Sequence, residues 1–292
     1  MSGEPIHLKN TALAITERCT LRCKLCFAYI PYHDNPQDIT IDVLDTILRR
    51  YFSIVSSVDH FCVTGGEPLV HPHLCAILNM INGYSGQINK TIDIITNGTL
   101  DIKDDVLGFL KQNKDKTRVI ISDYGKYSPK TKTLEERLRS SGIIVRIERY
   151  AADDPLYGGW IDCRDHSLKH FTQEEIDRQG KHCYFKNKRG YTIRKGELHN
   201  CGRSYWRMLK NIIPRNPEEY LNLLDMETPI EHQREILRKL HKKDSVTSCA
   251  YCWGANARSK RYKPAEQLPA KVNRWSIKYI RDRFFSKWLR TW

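Results

Sequence analysis

The first half of the chain alternates short apolar runs with stretches of helical periodicity, and this alternation limits the possible folds more than any other feature. The apolar runs predict strands at 13–16, 60–64, 91–96, 119–122 and 143–147, with a helix in each interval. Strands that alternate with helices form parallel βα units, and sites in such folds lie at the carboxyl ends of the strands. The sequence therefore predicts an α/β fold with a functional site at that edge.

Three cysteines, Cys19, Cys23 and Cys26, follow the first predicted strand with the spacing C-x3-C-x2-C. Thiolates are soft ligands that suit an iron–sulfur cluster or zinc, and three of them can leave one iron of a cluster open. No apolar leader precedes the ten cysteines, which predicts a cytoplasmic location where clustered cysteines bind metals. Two alternatives remain, namely a zinc site completed by a distant ligand and a group of buried thiols.

A glycine-rich segment, Thr64-Gly65-Gly66-Glu67-Pro68, follows the second predicted strand. Glycines let the backbone approach a ligand closely, and the Glu67 carboxylate can pair with an ammonium group. Polar residues also end the third and fourth predicted strands, at Thr96-Asn97 and Ser122-Asp123. Taken alone, the glycine segment could be an ordinary turn. Because parallel strand ends meet at one edge, we expect all these residues to lie near the cysteines.

Together these motifs resemble the radical S-adenosylmethionine (SAM) superfamily over residues 13–147. The resemblance implies a partial (β/α)6 TIM barrel, a 4Fe–4S cluster on the triplet and SAM chelated by the open iron. It also implies reductive cleavage of SAM to a 5′-deoxyadenosyl radical, which abstracts a hydrogen atom from a substrate. Leu25 departs from the family, which usually has an aromatic residue there near the adenine. The SAM contacts that the resemblance implies are Phe27, Gly65, Gly66, Glu67, Pro68, Asn97 and Ser122.

A second set of four cysteines lies in the more polar half of the chain: Cys183, Cys201, Cys249 and Cys252. Four thiolates suit a fully ligated cluster or a structural zinc ion. A hairpin-like stretch, 184–200, turns near Lys195-Gly196 between the first two of them. This arrangement resembles the twitch extension of SPASM-type radical SAM enzymes. It implies a small C-terminal β-hairpin/helix domain with an auxiliary 4Fe–4S cluster, and hence two clusters in all. Zinc on the same ligands is the alternative.

Three cysteines belong to neither set. Cys62 falls in a predicted strand and Cys75 in a predicted helix, which favours small core residues. Cys163 lies in the connector between the barrel and the second cysteine set. A thiol at that place could give a hydrogen atom to a substrate radical, and an ordinary loop thiol is the alternative.

We expect a barrel at 1–160, an auxiliary-cluster domain at 161–262 and a basic tail at 263–292. Within the tail, residues 271–292 place aromatic and aliphatic side chains on one face of a helix and lysines and arginines on another. Such a helix could make peripheral contact with an anionic membrane, and docking on the protein itself is the alternative.

The chain has 48 Lys and Arg against 34 Asp and Glu, a net charge of +14. This excess favours an acidic partner, and a phosphorylated or nucleotide-linked sugar would suit it. The resemblance to twitch dehydrogenases of aminocyclitol biosynthesis implies oxidation of a small carbohydrate or cyclitol, with electrons from a reductant such as flavodoxin or ferredoxin. The substrate-pocket candidates are Asp123, Tyr124, Arg146, Arg149 and Trp160.

Three other functions remain open. A radical epimerase of a sugar would use Cys163 as its hydrogen donor. A peptide-modifying radical SAM enzyme would act on a ribosomal precursor peptide. A zinc-binding, nucleic-acid-associated module is the non-enzyme class, and it is disfavoured because it leaves the Gly65-Gly66-Glu67-Pro68 segment without a role.

Overall fold

A computed structural model describes residues 4–150, 159–187 and 190–269. Five parallel strands follow one another in chain order, and each neighbours the next in a single sheet. They confirm the five predicted strands, with most boundaries extended by a few residues. The strands are β1 (His7–Thr16), β2 (Ser57–Gly65), β3 (Ile88–Thr96), β4 (Thr117–Asp123) and β5 (Ile144–Arg149).

Four helices connect these strands and confirm the helical patterns. The Thr40 hydroxyl caps the first of them by accepting from the Val43 N–H group, and Asp42 lies in its first turn. Their buried faces carry the apolar residues of the periodic pattern. The helices are α1 (Ile41–Ile54), α2 (Leu74–Asn82), α3 (Asp104–Gln112) and α4 (Thr131–Ser140).

The predicted hairpin is present and continues the same sheet. Strand β6 (Gly190–Arg194) pairs in parallel with β1, and β7 (Glu197–His199) and β8 (Tyr220–Asn222) follow in antiparallel pairing. Lys195 and Gly196 both have positive φ, as a two-residue hairpin turn requires. The sheet thus has eight strands, is mostly parallel and is not closed, which confirms the α/β fold with a partial barrel.

Strand β6 belongs to the predicted second domain, 161–262, but pairs with β1 of the predicted barrel, 1–160. Both segments therefore contribute to one sheet. The division at residue 160 therefore stays a prediction. Residues 270–292 lie outside the described residues, and so does the predicted amphipathic tail. Among the helices that the structure describes, none has the length and apolar character needed to cross a membrane.

Four further helices lie in the part of the chain that carries the second cysteine set. Helix α5 begins with a capping box in which Thr172 and Glu175 each bond the other's backbone N–H. Cys183 directly follows α5, Cys201 directly precedes α7, and Cys249 lies in a 3-10 turn, Thr247–Tyr251. The helices are α5 (Gln173–His182), α6 (Tyr184–Asn187), α7 (Gly202–Leu209) and α8 (Ile230–Lys242).

A buried hydrogen bond joins the central strand to the first helix. The hydroxyls of Thr11 on β1 and Tyr51 on α1 are 2.7 Å apart, and both side chains are fully buried. The Tyr51 ring packs edge-on against Phe52 and Phe61, with centroids 4.8 and 5.5 Å away. This pair therefore fixes α1 on the sheet with one polar contact inside an apolar layer.

We expect Tyr51→Phe to lower the free energy of unfolding by about 1–2 kcal/mol, because it leaves the buried Thr11 hydroxyl without a partner. Thr11→Val with Tyr51→Phe removes both polar groups, so the double variant should lose less than the sum of the single variants. Urea denaturation followed by circular dichroism measures all three. Strict additivity would contradict the proposed coupling.

Candidate functional site

The loop after β1 carries the first cysteine set to the carboxyl edge of the sheet. Its turns are closed by hydrogen bonds from the Cys26 N–H to the Cys23 carbonyl (3.2 Å) and from the Tyr29 N–H to the Cys26 carbonyl (3.0 Å). Cys19, Cys23 and Cys26 all line a cavity of about 2340 Å³ between the described residues. Typical small-molecule pockets measure roughly 300–1,000 Å³, so this one has room for a cofactor and a substrate together.

Hydrogen-bond donors point at the sulfur atoms of this set. Cys19 Sγ accepts from the Leu21 N–H (3.4 Å) and from Asn97 Nδ2 (3.5 Å), and Cys23 Sγ accepts from Gln267 Nε2 (3.3 Å). Burial nevertheless raises the pKa of Cys19 to about 11 and that of Cys23 to about 12. The free thiols are therefore protonated at neutral pH, and metal binding must displace their protons.

The donor set fits an iron–sulfur cluster. Three soft thiols on one loop face a cavity, and N–H groups are directed at two of them. Among the residues described, no three His, Cys, Asp or Glu side chains converge as ligands of one metal ion. A 4Fe–4S cluster takes one thiolate on each iron, so its ligands stand around it rather than converge on one ion.

Gly65 and Gly66 bring the end of β2 against the cysteine loop. The Gly66 N–H donates to the Thr16 carbonyl (2.7 Å), and the Glu67 N–H donates to the Arg18 carbonyl (2.9 Å). A Cβ atom on Gly66 would lie 2.0 Å from the Arg18 carbonyl oxygen, so only glycine fits. Both glycines also line the cavity. The glycines are thus required by backbone contact with the cysteine loop, a reason that differs from the ligand approach expected from the sequence.

Glu67 is fully buried and is absent from the cavity wall formed by the described residues. Its two carboxylate oxygens accept from the backbone N–H groups of Leu69 (3.0 Å) and Asn97 (2.7 Å). Burial raises the pKa of Glu67 to about 6 despite these bonds. The carboxylate thus ties the ends of β2 and β3 together, whereas the sequence suggested direct pairing with a ligand ammonium. Pro68 is buried and starts the short turn behind it.

Asn97 extends this network from β3 to the cysteine loop. Its side-chain amide nitrogen donates to the Thr20 hydroxyl (3.0 Å) as well as to Cys19 Sγ, and its carbonyl oxygen accepts from the Thr99 N–H (3.1 Å). Asn97 lines the cavity, so the expected meeting of the strand ends is observed there. Ser122, near the end of β4, is buried and does not line the cavity as the described residues form it.

The second cysteine set gathers between α5, α7 and the Thr247–Tyr251 turn. Its thiols lie close enough to one another to interact electrostatically. Burial raises the pKa of Cys249 to about 12. Burial also opposes ionisation of Cys252, but Arg203 and Arg207 outweigh it and lower the pKa of that thiol. Cys201 lines the same cavity as the first set.

Cys163 is buried on the wall of that cavity. Its thiol is 3.6 Å from the Ile161 carbonyl, and its own carbonyl accepts from the Tyr29 hydroxyl at 2.6 Å. Burial raises the pKa of Cys163 to about 11, so the thiol keeps its hydrogen atom at neutral pH. Cys62 and Cys75 are half-buried and lie apart from both sets, bonded to Asp93 and to the Asp105 carbonyl.

Of the predicted substrate contacts, Tyr124, Arg146 and Trp160 line the cavity. The rings of Tyr124 and Trp160 pack edge-on, with centroids 5.5 Å apart. Arg146 forms an ion pair with Glu148, another lining residue, at 2.7 Å. Asp123 and Arg149 do not line this wall in the described part of the chain. Arg149 is 66% exposed and faces Asp123 at 4.0 Å.

Sequence reasoning missed several residues at the site. Gln267 is separated from Cys23 by most of the chain, and no local pattern links them. Arg203 follows Cys201 by two positions and contacts Cys252, a signal that is visible only once the fold is known. Asn200 lines the cavity at 5% exposure, and its amide has no hydrogen-bond partner among the described residues. A bound ligand or water would satisfy it.

The first part of the chain is similar to known proteins. Residues 13–122 match the family model described as the Radical SAM superfamily. A GTP 3′,8-cyclase of Campylobacter jejuni subsp. doylei is 31% identical over 88 residues, which cover 30% of this chain and 27% of the cyclase. Molybdenum cofactor biosynthesis protein 1 of Mus musculus is 32% identical over 88 residues, 30% of this chain and 13% of that protein. The chain thus spans a small part of these curated relatives.

Two solved structures share the fold over almost the whole chain. BtrN in complex with AdoMet and 2-DOIA is 13% identical with a TM-score of 0.51, and the match covers 92% of this chain and 100% of BtrN. Native anSMEcpe with bound AdoMet is 14% identical with a TM-score of 0.52, covering 97% and 98%. The fold, the family match and the geometry of the first cysteine set agree. Residues 13–122 are thus similar to the radical SAM superfamily, and the chain shares its fold with these two structures.

Proposed function

We propose that this chain is a radical SAM enzyme that oxidises a small hydroxylated substrate, of the carbohydrate or cyclitol class, by dehydrogenation. One observation carries the proposal: a single cavity has on its wall the first cysteine set, Gly65 and Gly66, and Cys201 of the second set. A substrate bound in the part of this cavity near Cys26 and Cys201 would have one cysteine set on each side. That arrangement suits hydrogen abstraction on one side and electron removal on the other.

In this proposal, Cys19, Cys23 and Cys26 hold a 4Fe–4S cluster whose open iron binds SAM. When bound, cluster and cofactor supply a 5′-deoxyadenosyl radical by reductive cleavage of SAM. The protein chain itself orients the cofactor and the substrate and shields them from water. Gly66 and Glu67 fix the β2 loop on the cysteine loop, and Asn97 is held at the cavity wall by the Glu67 carboxylate.

The cavity wall supports a polyol substrate. The Asn200 amide, which has no partner within the described ranges, offers a donor and an acceptor, which is what neighbouring hydroxyl groups require. The rings of Tyr124 and Trp160 offer an apolar face at the same cavity. The net charge of +14 suits a phosphorylated or nucleotide-linked form of such a substrate.

The second set, Cys183, Cys201, Cys249 and Cys252, holds a second 4Fe–4S cluster in this proposal. Such a cluster can take one electron from the substrate radical, which makes the reaction a net oxidation. A one-electron donor such as flavodoxin or ferredoxin would reduce the first cluster. Zinc on the second set is the competing occupant.

A radical epimerase is the second candidate, and the position of Cys163 favours it. A buried thiol that keeps its hydrogen atom lies on the cavity wall, where it could return a hydrogen atom to the opposite face of a substrate radical. The same thiol would have no part in a dehydrogenase. The two candidates therefore differ in whether Cys163 reacts.

We expect anaerobically purified protein to contain about eight irons with equivalent sulfide. Replacing Cys19, Cys23 and Cys26 by alanine should leave about four irons, and replacing Cys183 and Cys201 should also leave about four. Cys62→Ser is the matched control and should keep all of them. Elemental analysis measures the result, and zinc without sulfide would contradict both cluster assignments.

We expect Glu67→Gln to keep its irons but to weaken SAM binding about tenfold, because the glutamine NH2 group cannot accept one of the two buried N–H bonds. Equilibrium dialysis with labelled SAM measures the affinity. Since burial raises the pKa of Glu67 to about 6, wild-type affinity should fall as the pH drops below 6, whereas the affinity of the Glu67→Gln variant should not change there. A parallel pH profile in both proteins would argue against this role.

Turnover in deuterated water separates the two reactions. A panel of cyclitols and phosphorylated or nucleotide-linked sugars is first screened by 5′-deoxyadenosine formation. We expect an oxidised product without solvent deuterium on carbon, and unchanged product in Cys163→Ser. If the product carries deuterium on carbon and this label disappears in Cys163→Ser, the reaction is epimerisation and not dehydrogenation. Activation only by a peptide would support the peptide-modifying class instead.

A further inference from the structure

Arg203 contacts both cysteine-bearing regions of the protein. It lies in the first turn of α7, two residues after Cys201, and it is 2% exposed. One guanidinium nitrogen, Nη1, donates to Cys252 Sγ. The guanidinium carbon also lies 5.2 Å from the ring centre of Phe27, the residue directly after Cys26, and 5.6 Å from that of Phe185. A single buried cation thus lies between the loop of the first set and a ligand of the second.

The charge of Arg203 has no carboxylate to balance it in the described part of the chain. Its Nε and Nη2 atoms have no hydrogen-bond partner there. The groups that can become negative and act most strongly on its charge are the thiols of Cys163, Cys252 and Cys201 and the phenol of Tyr29. Burying an unpaired charge costs several kcal/mol or more, so Arg203 requires an anion at this position.

The neighbouring Arg207 is also buried, but its guanidinium donates to backbone carbonyl oxygens. Arg207 lies one turn further along α7 and donates to the carbonyl oxygens of Ser248 and Tyr251, both at 2.7 Å. Arg207 therefore holds the turn that presents Cys249 and Cys252. Arg203 makes no such carbonyl contact among the described residues, and its direct partner is a sulfur atom.

We propose that Arg203 is a positioning residue that stabilises the reduced form of the cluster on the second cysteine set and thereby makes that set an electron acceptor. The inference rests on the proposed second cluster. A four-thiolate cluster becomes more negative by one charge when it gains an electron, and a fixed cation in a dry site stabilises that added charge. The cation–π contacts with Phe27 and Phe185 keep the guanidinium in place.

The proposed oxidation requires an electron acceptor of suitable potential, and Arg203 would raise that potential. After hydrogen abstraction, a carbinol radical of the substrate loses one electron to the second cluster and its hydroxyl proton to water, and a carbonyl remains. A cluster with too low a potential would not take that electron. Arg203 favours the transfer without touching the substrate.

The test is a redox titration followed by electron paramagnetic resonance. Cys19, Cys23 and Cys26 are replaced by alanine in every protein, so that only the second cluster gives a signal. In this background we expect Arg203→Gln to lower the ratio of reduced to oxidised cluster at least tenfold at a fixed potential, equal to a fall of about 59 mV in midpoint potential. Arg203→Lys keeps the charge and should restore most of the shift. Lys210→Gln removes a charge at the C-terminal end of the same helix, where Lys210 pairs with Asp34, and should change nothing.

Iron content distinguishes the possible failures. About four irons in the background protein with an unchanged potential in Arg203→Gln would overturn the role of Arg203 and leave the second cluster standing. Zinc in place of those irons would overturn both. If Arg203→Gln loses the cluster, the Arg203→Lys variant distinguishes the two cases. A midpoint potential near that of the background protein supports the charge effect. A tenfold fall in the ratio of reduced to oxidised cluster contradicts it.

Discussion

The buried carboxylate of Glu67 holds the site together. It accepts backbone N–H groups from its own turn and from the end of β3, while its own N–H is bonded to the loop after β1. Three successive strand ends are thereby fixed by one residue, through its side chain and its backbone N–H. Gly65 and Gly66 permit this arrangement because any larger residue would collide with Thr16 or Arg18. The positions of Cys19 and Asn97 depend on this contact.

The second feature is the continuity of the cavity from one cysteine set to the other. Strand β6 pairs with β1, so the hairpin that leads to Cys201 extends the barrel sheet beside the loop of the first set. Cys201 consequently lies on the same cavity wall as the first set. Arg203 lies in the contact between them, with an aromatic ring of one loop on its face and a thiol of the other at its end.

The predicted substrate residues differ in where their side chains lie. Asp123 and Arg149 come from the correct strand ends, yet they face each other at the surface. Tyr124 and Trp160, which are equally ordinary in the sequence, pack together on the cavity wall. A strand end fixes only the edge at which a residue lies. The side-chain direction depends on how the following loop turns, and no local pattern encodes that.

The sequence by itself determined the strand–helix alternation, the hairpin turn at Lys195 and Gly196, and the cysteine spacing, because each depends on residues that are near in the chain. The tertiary structure alone decided which distant residues meet. Gln267 reaches Cys23, Asn97 reaches Cys19 and Arg203 reaches Cys252 only after the sheet order brings their loops to one edge. Such contacts follow from packing of the whole chain, which is why the cysteine spacing was visible in the sequence and these contacts were not.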